Sequence, residues 1–201
     1  HKKIDIYKQK ELNDHLTSLV GFDFDKGATA ISTHPFTDNM SPNDVRFTTR
    51  YKDNDFLYAI TSTMHETGHG LYEQNLPYEF YGTPLATYVS LGIHESQSRF
   101  YENQIGRSKA FSQYLARQAS NKLDMNFAED QIYSYLNSVS PGFIRTEADE
   151  LTYNLHIIIR YEIETAIFND DLAVDEIEGL WNQKYEQYLG IVPDSARNGF
   201  L

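Results

Sequence analysis

The spacing of apolar residues along the chain predicts a mainly helical fold. Between residues 4 and 20, apolar side chains recur at helical spacing, and Gly21 is a suitable residue to end that helix. Thr146 and Asp171 are the expected N-caps of the last two helices, because short polar side chains accept hydrogen bonds from the first helical N–H groups. Further helices are predicted at 55–73, 88–105, 108–123, 126–136, 147–168 and 174–189.

A small strand pair is predicted before the helix at 55–73. In 45–51, apolar and polar residues alternate, as expected of a strand with one buried face. Its expected partner lies near 27–32, and the stretch 39–43 between them is expected to form a turn. No internal repeat or linker interrupts the pattern, so the sequence predicts a single domain over 1–201 that is mainly α.

The acidic composition argues against several kinds of partner. The 201 residues include 29 acidic and 17 basic side chains, and the net charge of −12 disfavours nucleic acid and an anionic membrane surface. No apolar run approaches the ~20 residues that a bilayer-spanning helix needs. The chain has no cysteine, so a metal would be held by His, Asp, Glu or backbone oxygen. The lack of cysteine also fits a reducing compartment.

An H-E-x-x-H pattern, His65-Glu66-Thr67-Gly68-His69, lies inside the helix predicted at 55–73. His65 and His69 are about one helical turn apart, so they project from the same face and can bind one metal ion. Glu66 lies about 100° around the helix from His65, where its carboxylate can accept a proton from water activated by the metal. Because the pattern is short, two helical histidines with an unrelated glutamate remain the alternative.

A third protein ligand decides the class of a hydrolytic zinc site. The metzincin pattern has Gly and His where this chain has Tyr72 and Asn75, so that class is excluded. A glutamate from a later helix is the remaining type of ligand, and Glu95, 26 residues after His69, is the best placed. The competing glutamates are Glu73, Glu79 and Glu102.

Five segments resemble motifs of the carboxypeptidase Taq family of HEXXH metallocarboxypeptidases, and they stand in the family's order. They spread over residues 34–149, and the following stretch 152–156 is also similar to the family. A lone H-E-x-x-H is a weak signal, whereas five ordered motifs are specific. The five are His34-Pro35-Phe36, Asp44-Val45-Arg46-Phe47-Thr48, His65 to His69, His94-Glu95-Ser96-Gln97 and Ile144-Arg145-Thr146-Glu147-Ala148-Asp149.

The resemblance implies a metal site and a fold. It implies that His65, His69 and Glu95 bind the metal, one zinc or alternatively one cobalt ion per chain, and that Glu66 is the catalytic base. It also implies a helical, gluzincin-like catalytic domain with a deep cleft. Family members are longer, intracellular and dimeric. We therefore expect 1–201 to be a truncated portion of a longer helical peptidase that is cytoplasmic and homodimeric.

An arginine is expected to bind the free carboxylate at the C-terminus of the substrate, because a guanidinium forms paired hydrogen bonds with carboxylates. Arg145 precedes a predicted helix N-terminus and is the preferred candidate, with a structural ion pair to Asp149 or Glu147 as the alternative. Arg46 alternates with apolar strand residues. It is either solvated or paired with Asp44 at the edge of the cleft.

Four further residues are expected near the substrate or the metal. The resemblance places His34 where it can limit the extension of the substrate or bond to the substrate backbone, and a turn-stabilising histidine is the alternative. Tyr153 and His156 lie three residues apart on the long helix and can donate hydrogen bonds to the oxyanion, with core packing as the alternative for Tyr153. Asp149 is a candidate acceptor that orients a metal-binding histidine.

The sequence thus predicts a metal-dependent carboxypeptidase that hydrolyses the C-terminal bond of peptides with a free C-terminus. The alternative is a catalytically incompetent, metal-stabilised helical fragment that acts only as a structural or interaction module. Neither interpretation involves nucleic acid or a membrane, in keeping with the acidic charge.

Overall fold

The computed structural model describes residues 3–128, 130–169 and 172–199. Within these ranges the chain is mainly helical with one three-stranded sheet, which confirms the predicted fold class. Its contacts divide the chain into two compact units, His1–Leu136 and Asn137–Leu201. The prediction of one domain over 1–201 stays a prediction. Among the described residues, no helix combines the length and apolar character that crossing a bilayer requires.

The described part of the first unit contains five α-helices. The first four follow an aspartate or serine whose side chain accepts a backbone hydrogen bond from the first turn. The third continues into a π-helical segment, Phe100–Ile105. The five are α1 (Ile6–Leu19), α2 (Phe56–Gln74), α3 (Leu91–Arg99), α4 (Lys109–Leu123) and α5 (Gln131–Leu136).

Two of these helices begin later than predicted. α3 begins at Leu91 and not at 88, because the extended residue Ser90 caps it by accepting a hydrogen bond from the N–H of Ile93. α5 begins at Gln131 and not at 126. Asp124, with φ of 53°, ends α4 in the left-handed region, and residues 125–128 are not helical.

The three strands form one sheet in the order β1-β3-β2. β1 (Gly27–Ile31) pairs in parallel with β3 (Asp44–Thr49), which confirms the predicted strand pair. β2 (Thr37–Ser41) pairs with β3 in the antiparallel sense and occupies part of the stretch predicted as a turn. The sequence of β2 lacks an apolar alternation, and backbone hydrogen bonds to β3 define it instead.

Two apolar clusters stabilise the first unit. The larger joins α1, α2, α4 and α5, and α2 contributes Ile60 and Met64 to it. The smaller packs Val45 and Phe47 of β3 against Leu71 of α2. Burial of these side chains on α2 fixes the helix that carries the H-E-x-x-H segment.

Two helices dominate the described part of the second unit, α6 (Glu150–Asn169) and α7 (Ile177–Leu189). A 3₁₀ turn precedes α7, which therefore begins three residues later than predicted. Asp171, its expected N-cap, lies outside the described residues. The buried core of this unit consists of Ile159, Ile163, Trp181, Tyr185 and Leu189.

The start of α6 also differs from the prediction. The carboxylate of Asp149 accepts hydrogen bonds from the N–H groups of Leu151 and Thr152 at 2.9 and 3.0 Å. Asp149 is therefore the residue that caps α6, which begins at Glu150. Thr146, the predicted cap, lies in a 3₁₀ turn ahead of the helix, because the chain makes one tighter turn before the α-helix starts.

Candidate metal centre

α2 presents both histidines of the H-E-x-x-H segment on one face. The helix begins after Asp55, whose carboxylate accepts hydrogen bonds from the N–H groups of Leu57 and Tyr58. The imidazole rings of His65 and His69 lie edge to face with their centroids 4.9 Å apart. This spacing is the one expected for two ligands separated by one helical turn.

α3 brings Glu95 to the two histidines. Its Oε2 atom lies 3.6 Å from Nε2 of His65 and 3.3 Å from Nε2 of His69. Ligand atoms of all three residues lie within 4.8 Å of one another. Tetrahedral bonds of about 2.0–2.1 Å separate two ligand atoms by about 3.3–3.4 Å, so the two measured distances bracket the value for zinc. The donor set therefore fits one divalent cation with an open position.

Gly68 permits α3 to approach α2 this closely. A Cβ atom at this position would lie 2.6 Å from the carbonyl oxygen of Gln97 and 2.6 Å from Cα of Ser98. Both neighbours are backbone atoms of α3, which cannot rotate away. The hydroxyl of Ser98 donates to the Oε2 atom of Glu95 at 3.0 Å. The same contact between helices thus admits Glu95 and orients its carboxylate.

Glu66 is held beside the centre by the sheet. Its side chain is buried, and its Oε2 atom accepts a hydrogen bond from the hydroxyl of Thr37 at 2.6 Å. The same hydroxyl lies 3.2 Å from the carbonyl oxygen of Glu66. Thr37 belongs to β2, and no sequence signal pointed to it apart from its position directly after His34-Pro35-Phe36.

Glu102 supports His65 from the side opposite Glu95. Its Oε2 atom lies 2.8 Å from Nδ1 of His65, so the Nε2 atom of the ring is directed towards Glu95. The guanidinium groups of Arg99 and Arg107 also donate to Glu102, at 3.0 and 3.4 Å. From the sequence, Glu102 was a competitor for the position of third ligand. In the structure, Glu102 is the hydrogen-bond partner of His65, a candidate ligand.

The pKa values of His65 and Glu95 are shifted by their neighbours. Burial opposes the charged imidazolium, but the hydrogen bond to Glu102 and the charges of Glu102, Glu95 and Glu66 outweigh burial and raise the pKa of His65. Burial also opposes ionisation of Glu95, yet the two histidines and Ser98 lower its pKa to about 2. Glu95 is therefore an anionic carboxylate, as binding of a divalent cation requires.

His69 is supported by a chain of three further residues. Nδ1 of His69 lies 2.5 Å from Nδ1 of His94, and Nε2 of His94 lies 2.6 Å from Oε1 of Glu73. The side-chain amide of Asn39 donates to the other oxygen of Glu73. Glu73, a second competitor for the third ligand, is thus separated from His69 by one imidazole. His94 was recognised only as part of a motif, because its contact depends on the packing of α3 against α2.

Two substrate-binding candidates lie in or beside the sheet. The guanidinium of Arg46 donates two hydrogen bonds of 2.8 Å to the carboxylate of Asp44. Arg46 is exposed and Asp44 is half-buried. The bidentate bond lowers the pKa of the Asp44 carboxyl. His34 is exposed between β1 and β2, and its Nδ1 atom lies 2.7 Å from the carbonyl oxygen of Pro35.

The remaining candidates belong to the second unit. The guanidinium of Arg145 donates to the hydroxyl of Tyr153 at 2.8 Å. His156 is fully buried, with Nδ1 3.1 Å from the hydroxyl of Tyr185, and burial lowers its pKa. Asp149 caps α6, and its carboxylate also accepts a hydrogen bond from the N–H of Ser140. Its action on a metal-binding histidine stays a prediction, as do the substrate contacts of the others.

Comparison with known proteins agrees with this geometry. The sequence matches the family model of the carboxypeptidase Taq (M32) metallopeptidases over residues 1–201. Carboxypeptidase 1 of Bacillus subtilis (strain 168) is 48% identical over 197 residues, which cover 96% of this chain and 39% of that protein.

Two solved structures share the fold at high similarity. Metallocarboxypeptidase 1 of Trypanosoma cruzi superposes with a TM-score of 0.95 and 39% identity, covering 98% of this chain and 40% of that one. A carboxypeptidase of Pyrococcus furiosus superposes with a TM-score of 0.94 and 40% identity, again over 98% of this chain and 40% of that one. The chain spans about two fifths of the length of these relatives.

Proposed function

The chain belongs to the carboxypeptidase Taq (M32) metallopeptidase family, and from that membership we propose that it carries the catalytic metal centre of a metal-dependent carboxypeptidase. One observation carries this proposal. The ligand atoms of His65, His69 and Glu95 converge within 4.8 Å, and the buried carboxylate of Glu66 belongs to the same helical turn. This combination suits hydrolysis by an activated water molecule.

His65, His69 and Glu95 would hold one zinc ion, with cobalt as the alternative. A divalent cation bound there supplies Lewis acidity, which lowers the pKa of water and polarises a carbonyl group. The three side chains contribute two neutral nitrogens and one carboxylate oxygen. Such mixed donors suit a borderline-soft ion such as zinc better than they suit calcium or magnesium, which prefer oxygen ligands.

Glu66 acts as the general base. Its carboxylate accepts the proton of the attacking water and passes it to the leaving amine. The 2.6 Å hydrogen bond from Thr37 to Oε2 restricts rotation of the carboxylate about its last bond. A base that is already oriented needs less reorganisation when the proton moves.

Arg145 is proposed to bind the terminal carboxylate of the substrate. The hydrogen bond to the hydroxyl of Tyr153 orients its guanidinium, whose remaining N–H groups suit a carboxylate. Tyr153 is proposed as a donor to the oxyanion. His156 was a second candidate for this role, but its full burial against Tyr185 favours a structural one. In the first unit, His34 is proposed to limit the extension of the substrate, and Arg46 paired with Asp44 to shape the edge of the cleft.

Metal analysis combined with a peptide assay tests the proposal. We expect one zinc ion per chain and release of the C-terminal residue from an N-blocked dipeptide with a free C-terminus. Glu66→Gln is expected to keep the zinc and to lower kcat by about 10²–10⁴-fold, the usual contribution of a general base. Amidation of the C-terminus should abolish cleavage, because the charge that Arg145 binds is then lost.

Two outcomes would contradict parts of this assignment. Equal cleavage of free and amidated peptides would contradict the role of Arg145 and the assignment as a carboxypeptidase. One metal ion per chain without any turnover would favour the alternative, a metal-stabilised module. Homodimer formation by the whole protein and a cytoplasmic location stay predictions from the family resemblance.

A further inference from the structure

We propose that His94 is a positioning residue for the metal centre. It accepts a hydrogen bond from Nδ1 of His69 and connects that ring to Glu73 and Asn39. The inference rests on the proposed function, since it takes His69 to be a metal ligand. It adds a residue that touches neither the metal nor the substrate and that acts through a ligand.

When a metal binds Nε2 of His69, the proton of the neutral ring lies on Nδ1. Nε2 of His69 is the atom that faces Glu95, at 3.3 Å. A nitrogen that binds a metal must offer its lone pair, so the single proton of the neutral ring belongs on Nδ1. Nδ1 of His94 lies 2.5 Å away, and two donors cannot approach so closely. His94 must therefore be the acceptor at this contact.

The protonation of His94 follows from that contact. A neutral imidazole that accepts at Nδ1 carries its proton on Nε2. Nε2 of His94 lies 2.6 Å from Oε1 of Glu73, a carboxylate that can only accept while it is ionised. The amide of Asn39 donates to the other oxygen of Glu73. With a metal on Nε2 of His69, each donor in the chain thus meets an acceptor.

The packing around His94 holds its ring in this position. The rings of Tyr72 and Tyr88 stand edge to face against it, with centroids 5.0 and 5.3 Å away. The side chain of His94 is 14% exposed and that of Glu73 is 7% exposed, so water competes little for these hydrogen bonds.

The position of His94 in the fold gives the contact a second effect. Glu73 follows His69 by four residues on α2, and the ring of His94 from α3 bonds to both of them. His94 directly precedes Glu95, the third ligand, in the chain. Fixing His94 against α2 therefore also restricts the backbone that carries Glu95. Two of the three ligands depend on this one side chain.

Zinc affinity and the exchange of the Nδ1–H proton of His69 test the inference. His94→Phe keeps the ring and removes both hydrogen bonds, and we expect zinc affinity to fall by about 10–100-fold, as for loss of other residues that orient ligands. His94→Asn offers an amide oxygen near the position of Nδ1, so it is expected to restore part of the loss. His15→Phe is the matched control, because the hydrogen bond of His15 is made to the hydroxyl of Tyr114, at 2.7 Å, and not to a residue of the metal centre. The zinc affinity of this variant should equal that of the wild type.

Nitrogen-15 NMR of the histidine side chains gives a readout that fold stability alone would not change. In the zinc-bound wild type, the Nδ1–H proton of His69 is expected to exchange slowly with solvent, because His94 accepts its hydrogen bond. In zinc-bound His94→Phe, this proton should exchange faster, while the circular dichroism spectrum stays that of a folded protein. His94→Asn should keep the slow exchange. This variant therefore tests the inference even if His94→Phe does not fold.

Three results would overturn the inference. A zinc affinity of His94→Phe within twofold of the wild type would remove the positioning role and leave the proposed function intact. Equally fast exchange of the His69 Nδ1–H proton in zinc-bound wild type and zinc-bound His94→Phe would remove the hydrogen-bond chain. A wild-type protein that binds no zinc would contradict the proposed function, and the inference would fail with it.

Discussion

The two histidines of the candidate centre are supported in different ways. His65 bonds directly to a carboxylate, that of Glu102. His69 contacts the imidazole of His94 first, and the carboxylate of Glu73 lies one ring further away. Both arrangements leave Nε2 of the ligand facing Glu95. A carboxylate can therefore orient a metal-binding imidazole either directly or through a second imidazole.

The surroundings of the two carboxylates differ as well. Glu102 receives hydrogen bonds from Arg99 and Arg107, so it is part of a buried cluster of charges. Glu73 receives the neutral amide of Asn39. Loss of charge at Glu102 therefore affects two arginines as well as His65. Loss of charge at Glu73 affects mainly its hydrogen-bond chain.

Gly68→Ala is expected to have the largest effect, because it disturbs the approach of α3 on which both arrangements depend. The new Cβ would lie 2.6 Å from backbone atoms of Gln97 and Ser98. We expect a loss of about 1–3 kcal/mol in the free energy of unfolding, as for other overpacked sites, and a fall in zinc affinity of about 100-fold or more.

The matched control for this substitution is Gly179→Ala. Gly179 lies on α7, and a Cβ atom added there would meet none of the described residues within 4 Å, so alanine should stabilise the helix by about 0.5–1 kcal/mol. Denaturant unfolding and a zinc competition assay measure both variants. Unchanged zinc affinity in Gly68→Ala would contradict the importance of the close contact between α2 and α3.

Glu102→Gln and Glu73→Gln separate the two kinds of support. Each is expected to lower zinc affinity by about 10–100-fold, since each weakens the partner of a ligand. Glu102→Gln should also lower the free energy of unfolding by about 1.5–3 kcal/mol, because Arg99 and Arg107 lose a charged acceptor. Glu73→Gln should cost less stability. Equal losses of stability in the two variants would contradict the distinction between the arrangements.

Thr37→Val tests the contact between Thr37 and Glu66 and leaves the hydrogen bonds of both histidines unchanged. Removal of the hydroxyl takes away the 2.6 Å hydrogen bond to Glu66, and kcat is expected to fall by about tenfold. Zinc affinity should stay that of the wild type. Thr29→Val is the control, because Thr29 on β1 bonds to Asp14 at 3.2 Å. A large loss of zinc affinity in Thr37→Val would assign Thr37 to the metal and not to the base.

The pH dependence of stability is expected to show the smallest effect, and it concerns the metal-free protein. The pKa of His65 in the folded protein is raised from 6.5. Its contribution to the free energy of unfolding is therefore complete below pH 6.5 and is lost as the pH rises through the raised pKa. The pKa of Glu95 is lowered from 4.5 to about 2, so its contribution to the free energy of unfolding is complete above pH 4.5 and is lost as the pH falls towards 2.

Both contributions are therefore complete only between pH 4.5 and pH 6.5. Urea unfolding of the metal-free protein across this range measures the effect. Glu102→Gln removes a main cause of the raised pKa of His65, so the loss of stability above pH 6.5 should become smaller in that variant. A stability that increases from pH 6.5 to pH 8 in the wild type would contradict the assignment to His65.

The parts of the centre that sequence reasoning found are those with local signals. His65, Glu66 and His69 lie on one helix, so their spacing alone predicts a shared face. The choice of Glu95 among four glutamates needed the family resemblance, because separation along the chain does not determine which of them approaches α2. The close contact at Gly68 makes that choice in the fold.

Thr37 and the residue that caps α6 were not predicted, because neither has a distinct local signal in the sequence. Thr37 belongs to β2, a strand without apolar alternation that backbone pairing with β3 defines, so no pattern pointed to it. Only the later part of β2 lies in the stretch 39–43 that was predicted as a turn. At the start of α6, both Thr146 and Asp149 are good caps. The additional 3₁₀ turn that decides between them has no distinct sequence signal.

The alternation of β2 has a consequence for the chemistry. Thr37 and Asn39 are two residues apart, so both point to the same side of the strand, where they donate to Glu66 and Glu73 of α2. One strand thereby positions two carboxylates, that of Glu66 and that of Glu73 at the end of the hydrogen-bond chain from His69. A slip by one residue would turn Asp38 towards these carboxylates and set like charges against each other. The register of this short edge strand therefore determines which side chains face Glu66 and Glu73 beside the candidate metal centre.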